Sequence, residues 1–204
     1  SSIMEIKTVL ITQARFGSTR LPGKVLKEIN NRALLEIHLE RLKKCKKVSA
    51  IIVATTDNLQ DKIIYNKAIQ WGFQSIRGSE DDVLNRFYQA VKHQKPDLVV
   101  RITSDCPLID PEIIDKVVGF FLEHSDTYDY VSNVEKRSYP RGMDIEVFSY
   151  DALQKSARFA NSPEEREHVT LYIRGHPDRF SIGSVANKKD LSKHRWTVDT
   201  EEDF

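Results

Sequence analysis

Short apolar runs alternate with stretches of helical period along the first 125 residues. Residues 6–12 (IKTVLIT) read as a buried strand. Residues 33–45 carry Leu34, Leu35, Leu39 and Leu42 at helical spacing. AIIVAT at 50–55 is a second strand. A helix over 58–71, closed by Gly72, follows it. A short strand is predicted at 73–76. The next helix, 80–94, sets Val83, Leu84, Phe87 and Val91 on one face, and DLVVRIT at 97–103 is a third long strand. Asp110 followed by Pro111 is an N-cap with proline in the first turn, and it opens a helix to about Glu123. The repeated strand–helix order predicts an α/β protein: a mixed, mainly parallel sheet with helices on both faces.

The second part is less regular. Strands are predicted at 128–133, 144–148, 180–185 and 195–198, and helices at 149–159 and 163–174. There is no internal repeat, low-complexity tract or linker. The expectation is one domain over 4–204, with 128–185 as a small excursion from it. Ser1-Ser2-Ile3 ahead of Met4 reads as a cloning remnant. Glu201-Glu202-Asp203-Phe204 reads as a helix start, so the natural chain is expected to continue.

Composition narrows the function classes. The chain has 204 residues with 40% hydrophobic, enough to bury a core. Lys and Arg total 31 against 30 Asp and Glu, a net charge of +1, which argues against nucleic-acid or membrane-surface partners. No apolar run is long enough to span a bilayer, and no secretory signal pattern is present. Cys45 and Cys106 show no metal-ligand spacing, so a reduced, cytoplasmic protein is expected.

The most informative segment is QARFGSTRLPGK at 13–24, directly after the first strand. Ligands of open α/β sheets bind outside the carboxyl ends of strands. From Ile11 to Lys27 there is no acidic residue, but there are Arg15, Arg20, Lys24 and Lys27. Gly17 and Gly23 permit close backbone approach, and Ser18 and Thr19 add hydroxyl donors. A polyanion suits such a loop; a solvated basic connection is the plainer alternative. Neither the G-x-x-x-x-G-K-[ST] loop nor the G-x-G-x-x-G fingerprint is present.

QARFGSTRLPGK closely resembles the signature loop of the sialic-acid and KDO cytidylyltransferases, nearest to the branch of spore coat polysaccharide biosynthesis protein F. The resemblance continues through VATTDN (53–58), RGSEDDVLNRF (77–87), VRITSDCPLIDPEIID (100–115), DYVSN (129–133), YPRGMDIEVFS (139–149), EREHVT (165–170) and RWTVDT (195–200). It implies a Rossmann-like, three-layer fold of the nucleotide-diphospho-sugar transferase type. It also implies that Arg15, Ser18, Arg20 and Lys24 cradle a triphosphate, with Gln13, Ala14, Gly17 and Thr19 completing the nucleotide site. CTP rather than another nucleotide rests on the resemblance alone. Relatives of this type often pair through the 128–185 excursion, so a homodimer is expected.

Asp105 follows the strand at 97–103, and Asp199 follows the strand at 195–198. Both therefore fall at carboxyl strand ends. The resemblance assigns them Mg²⁺, and two carboxylates joined by phosphate oxygens and water suit that ion. Asp105 also reads as a turn residue, and Asp199 as an N-cap. Ser104 stands where the family often has glycine.

On the acceptor side, Tyr139, Arg141, Asp144 and Glu146 fall in one short stretch, with Asp144 and Glu146 on the same side of a strand. Arg166, Glu167 and His168 follow. Arginine forks onto a carboxylate, and acidic residues hold sugar hydroxyls. Arg166 and Glu167 also read as a solvated helix face, and His168 as a structural histidine. The segment 77–82 is a candidate for ribose or base contact, although Asp81 and Asp82 also read as first-turn helix residues.

The expected reaction is transfer of CMP from CTP to a hydroxyl of a small, acidic, sugar-like acceptor, with Arg15, Arg20 and Lys24 stabilising the departing pyrophosphate. No side chain stands out as general base. A glycosyltransferase using a nucleotide sugar is the alternative enzyme, although its usual Asp-x-Asp is absent at Ser104-Asp105-Cys106-Pro107. A non-catalytic nucleotide-binding module is the third reading.

Overall fold

The computed structural model describes residues 5–17, 28–29, 32–102, 109–133 and 144–185. In chain order the elements are β1 (Thr8–Gln13), β2 (Glu28–Ile29), β3 (Arg32–Ala33), α1 (Leu34–Leu42), β4 (Ala50–Thr56), α2 (Lys62–Gln70), β5 (Gln74–Gly78), α3 (Val83–Val91) and β6 (Leu98–Ile102). Then come α4 (Pro111–Glu123), β7 (Tyr130–Ser132), β8 (Ile145–Ser149), α5 (Tyr150–Phe159), α6 (Pro163–Glu167), α7 (Leu171–Arg174) and β9 (Ile182–Ser184).

Among the described residues, seven strands form one sheet in the order β5-β4-β1-β6-β8-β7-β9, and β2 pairs with β3 in a separate hairpin. β1 pairs in parallel with β4 and β6, and β4 with β5. β8 runs antiparallel to β6 and to β7, while β7 is parallel to β9. All strands of the seven-stranded sheet but β8 therefore point the same way. The carboxyl ends of β5, β4, β1, β6, β7 and β9 meet the amino end of β8 along one rim. The chain moves from β1 to β4 and β5 on one side, then crosses to β6 on the other. The switch point, where ligands of such sheets bind, lies between β1 and β6.

β1 is buried on both faces, which is why it reads as an unbroken apolar run. Leu10 joins one core with Leu35, Leu39 and Leu42 of α1, Ile64 and Ala68 of α2, and Ile114, Val117, Val118 and Phe121 of α4. Val9 and Ile11 join the other with Val83, Leu84, Phe87 and Val91 of α3, Leu153 of α5 and Ile173 of α7. The architecture is a three-layer, Rossmann-like α/β sandwich. The segment 128–185 supplies β7, β8 and β9 to the same sheet. Among the described residues no helix is long and apolar enough to cross a membrane.

Local chemistry sets the element ends. α3 starts at Val83 rather than residue 80, because the Asp82 carboxylate accepts the Asn85 N–H at 3.0 Å and so caps the helix there. Asp110 caps α4 the same way through the Glu112 N–H, with Pro111 in the first turn. Gly72, at φ 90, closes α2. The helix predicted over 163–174 is instead two. Ser162 and Glu165 form a capping box on α6, and the chain then breaks at His168 (φ −105, ψ 87). The break turns Val169 and Thr170 into the core, both 1% exposed. The strand predicted at 195–198 lies outside the described residues.

Cys45 and His38, both buried under the sheet, titrate abnormally. Burial foremost pushes the Cys45 thiol up to about 12, with Asp115 and Asp110 adding to it, so the thiol stays protonated. His38 of α1, whose Nε2 lies 3.1 Å from the Thr12 hydroxyl, is held down to about 4 by burial. Unfolded, the same ring takes its proton near 6.5. Below that pH the unfolded chain binds a proton that the fold excludes. Stability from neutral His38 is full above pH 6.5 and drains away as pH falls toward 4. Urea unfolding of wild type and His38→Gln should show the wild-type advantage shrinking by about 3 kcal/mol across that window.

Candidate active site

The β1 end of the rim is built from main chain first. The Ala14 N–H donates to the Ala54 carbonyl at 3.0 Å, continuing the ladder past β1. The Phe16 N–H donates to Asp61 Oδ1 at 2.5 Å, and the Phe16 ring packs against the α1/α2/α4 core. Arg15 lies between these anchors with its side chain 46% exposed. Gly17 comes so close to the β4–α2 connection that an added Cβ would meet Gln60 Nε2 at 2.7 Å.

A charged ledge lies beside it. Arg15 Nη1 reaches Glu80 Oε2 at 3.3 Å, and Asn58 Nδ2 donates to Glu80 Oε1 at 2.8 Å. Arg77 donates to the Thr56 and Asn58 carbonyls at 3.1 and 2.7 Å. Arg86, only 2% exposed, forks onto the Ser79 carbonyl at 3.1 and 2.6 Å and reaches the Glu80 carbonyl at 3.2 Å. Burial and then nearby Arg15 lower the Arg86 pKa, opposed by Asp61, Asp57 and Glu80. A guanidinium remains charged regardless, so this carboxylate surround offsets the cost of burying it.

The acceptor side centres on β8. Glu146 is buried. It takes Arg101 Nη1 at 2.6 Å, the Tyr130 hydroxyl, and the Thr170 hydroxyl at 2.7 Å, while Arg174 Nε lies 3.8 Å away. Burial and the Glu146 charge push the Tyr130 phenol well above its usual range, so it stays a donor. Asp144, on the same side of β8, is nearer the rim and partly exposed. Glu167 and His168 are exposed at the end of α6. Arg166 is not a solvated residue: it forks onto Asp82 at 2.9 and 3.1 Å and donates to the Ala157 and Ala160 carbonyls.

Gln13, Ala14, Arg15 and Gly17 are thus brought together at the end of β1, and Asp144 and Glu146 stand two strands away on β8. Ser18, Thr19, Arg20, Lys24, Asp105, Tyr139, Arg141 and Asp199 lie outside the described residues. Sequence reasoning offered residues 77–82, which include Glu80, and missed Asn58, Asp61 and Arg86. Arg86 carried a signal, since it falls on the apolar stripe of its helix beside Val83 and Phe87. Asp61 carried none, because its partner Phe16 is 45 residues away.

Removing Glu146 leaves Arg101 and Arg174 facing a buried gap. Glu146→Ala should lower the free energy of unfolding by about 3–5 kcal/mol in urea titrations.

The cytidylyltransferase family profile matches residues 9–203. Spore coat polysaccharide biosynthesis protein SpsF of Bacillus subtilis is 35% identical over 203 residues, 96% of this chain and 82% of that protein. The structure of a cytidylyltransferase from Leptospira borgpetersenii matches at a TM-score of 0.84 and 37% identity, covering 96% of this chain and 82% of the other. CMP:2-keto-3-deoxy-manno-octonic acid synthetase, solved with CTP, shares the fold at a TM-score of 0.68 and 19% identity, covering 88% of this chain and 90% of the other. A loop that leaves the central strand at the switch point, and a family match running from that strand nearly to the last residue, give one answer: the chain belongs to the cytidylyltransferase family.

Proposed function

We propose that the protein transfers CMP from CTP to a hydroxyl of a small acidic sugar and releases pyrophosphate. The observation that carries this is the exit of the basic loop. β1 delivers Arg15 to the carboxyl rim between two main-chain anchors, beside the strand end of β6. Family membership supplies the reaction class. The names of the spore-coat relative and the CTP-bound synthetase favour a sugar acceptor and a CTP donor.

In this reading main-chain groups around Gln13 and Ala14 read the base. Arg15, Gly17, Ser18, Thr19, Arg20 and Lys24 hold the triphosphate. Arg15, Arg20 and Lys24 neutralise charge on the departing pyrophosphate, where positioning and electrostatics supply most of the rate. Tyr139, Arg141, Asp144, Glu146, Glu167 and His168 form the acceptor side, with Glu146 acting from within the core. We place the enzyme in the cytoplasm as a homodimer, which sedimentation velocity checks.

Asp105 and Asp199 would hold Mg²⁺. Chain connectivity fits Asp105 to this role. Ile102 is the Cα partner of Thr12. Asp105 and Arg15 each lie three residues farther along the chain than their own member of that pair. Two hard carboxylates match an ion that keeps water and phosphate oxygens as its other ligands. Among the described residues no group of three or more His, Cys, Asp or Glu is placed to hold a metal, so the assignment rests on these two. When bound, the ion supplies charge neutralisation at the phosphates and acidifies a nearby hydroxyl.

³¹P NMR of enzyme, CTP and Mg²⁺ with a panel of hydroxylated sugar acids should show a CMP diester and pyrophosphate only when a suitable acid is present. Asp105→Asn and Asp199→Asn should each reduce turnover by about a thousandfold or more while thermal unfolding is unchanged. Full activity in both variants removes the metal assignment.

A further inference from the structure

Resting on the proposed function, the geometry points to Asp61 as the positioning residue for the triphosphate loop. Asp61 is 1% exposed, in the turn between β4 and α2. A buried carboxylate is costly unless its oxygens are filled with donors. No described cation forms an ion pair with it. Oδ2 instead accepts the Thr56 hydroxyl, whose own oxygen accepts the Asn58 N–H at 3.1 Å. Oδ1 accepts the Phe16 N–H at 2.5 Å. Asp61 adds to the negative surround of Arg86, and its one hydrogen bond to the main chain goes to an amide of the loop.

The place of that amide matters. Ala14 is tied to Ala54 of β4, and Phe16 to Asp61 just beyond β4. Arg15 is the single residue between the two ties, so its Cα has little freedom to swing across the rim. Gln60, the neighbour of Asp61, closes in on Gly17. Together these contacts set the course of the chain from Gln13 to Gly17. Asp61 touches no substrate in this account. It acts through the backbone, and it holds Arg15 in place before the nucleotide arrives.

An aspartate that merely stabilises the fold would behave differently. Asn at position 61 keeps the shape but carries no charge, so the charge-assisted bond from the Phe16 N–H is lost whichever way the amide is turned. Asp61→Asn should weaken CTP binding in calorimetry by about tenfold to a hundredfold, the range for a hydrogen bond to a charged group. In turnover it should raise KM for CTP and leave the acceptor KM within about twofold. Leu153→Ala, a buried change on α5, serves as the stability control and should leave CTP affinity within about twofold at a comparable loss of melting temperature. If Asp61→Asn does not fold, Thr56→Val takes its place under the same criteria. CTP affinity unchanged in the variant, or CTP and acceptor terms moving together, overturns the role of Asp61 and leaves the proposed function standing. Wild-type protein that does not bind CTP overturns both.

Discussion

Parallel pairing of β1 with β4 on one side and β6 on the other fixes everything else that was described at the rim. The register sets Gln13 beside Ala54 and Thr12 beside Ile102. The backbone leaving β1 therefore emerges between the connection that carries Asn58 and Asp61 and the strand that leads toward Asp105. Apolar burial on both faces of β1 holds that register. A one-residue slip would turn Leu10 and Thr12 into the opposite core.

Three buried charges show how the protein stiffens a polar rim on an apolar base. Arg86 secures the loop after β5 through the Ser79 and Glu80 carbonyls. Asp61 secures the loop after β1 through the Phe16 amide. Glu146 ties β6, β7, β8 and α7 together through Arg101, Tyr130 and Thr170. Each is satisfied by groups from a different element, so displacing one element strands a charge in the core. Such arrangements add little net stability and make alternative packings costly.

The alternating strand–helix order was plain in the sequence because its period-switching apolar runs reflect burial on one or both faces. Boundaries were less legible. Nothing local distinguishes Glu80 or Asp81 from Asp82 as the cap of α3; Arg166, 84 residues on, completes that choice. The break at His168 was hidden for the same reason, since Thr170 turns inward to meet a glutamate on β8. The order of strands beyond β6 was also illegible: β8 enters between β6 and β7, against the direction of its neighbours. At the site, the loop stood out by its run of cations without acids. The residues that hold it did not, because hydrogen bonding to a distant amide leaves no pattern in composition or spacing.

The reversal of β8 has a consequence for how such an enzyme changes over evolutionary time. β7 finishes and β8 begins at the rim, and Asn133 fastens the two ends together: its N–H donates to the Ile145 carbonyl at 3.2 Å, and its side chain accepts the Ile145 N–H at 2.8 Å. The pairing of the two strands is thereby fixed as far as Asn133 and Ile145. A change in the sequence between Asn133 and Ile145 need not unpick either strand. Substitutions and insertions between those two positions can thus accumulate in a lineage while every strand of the sheet keeps its pairing.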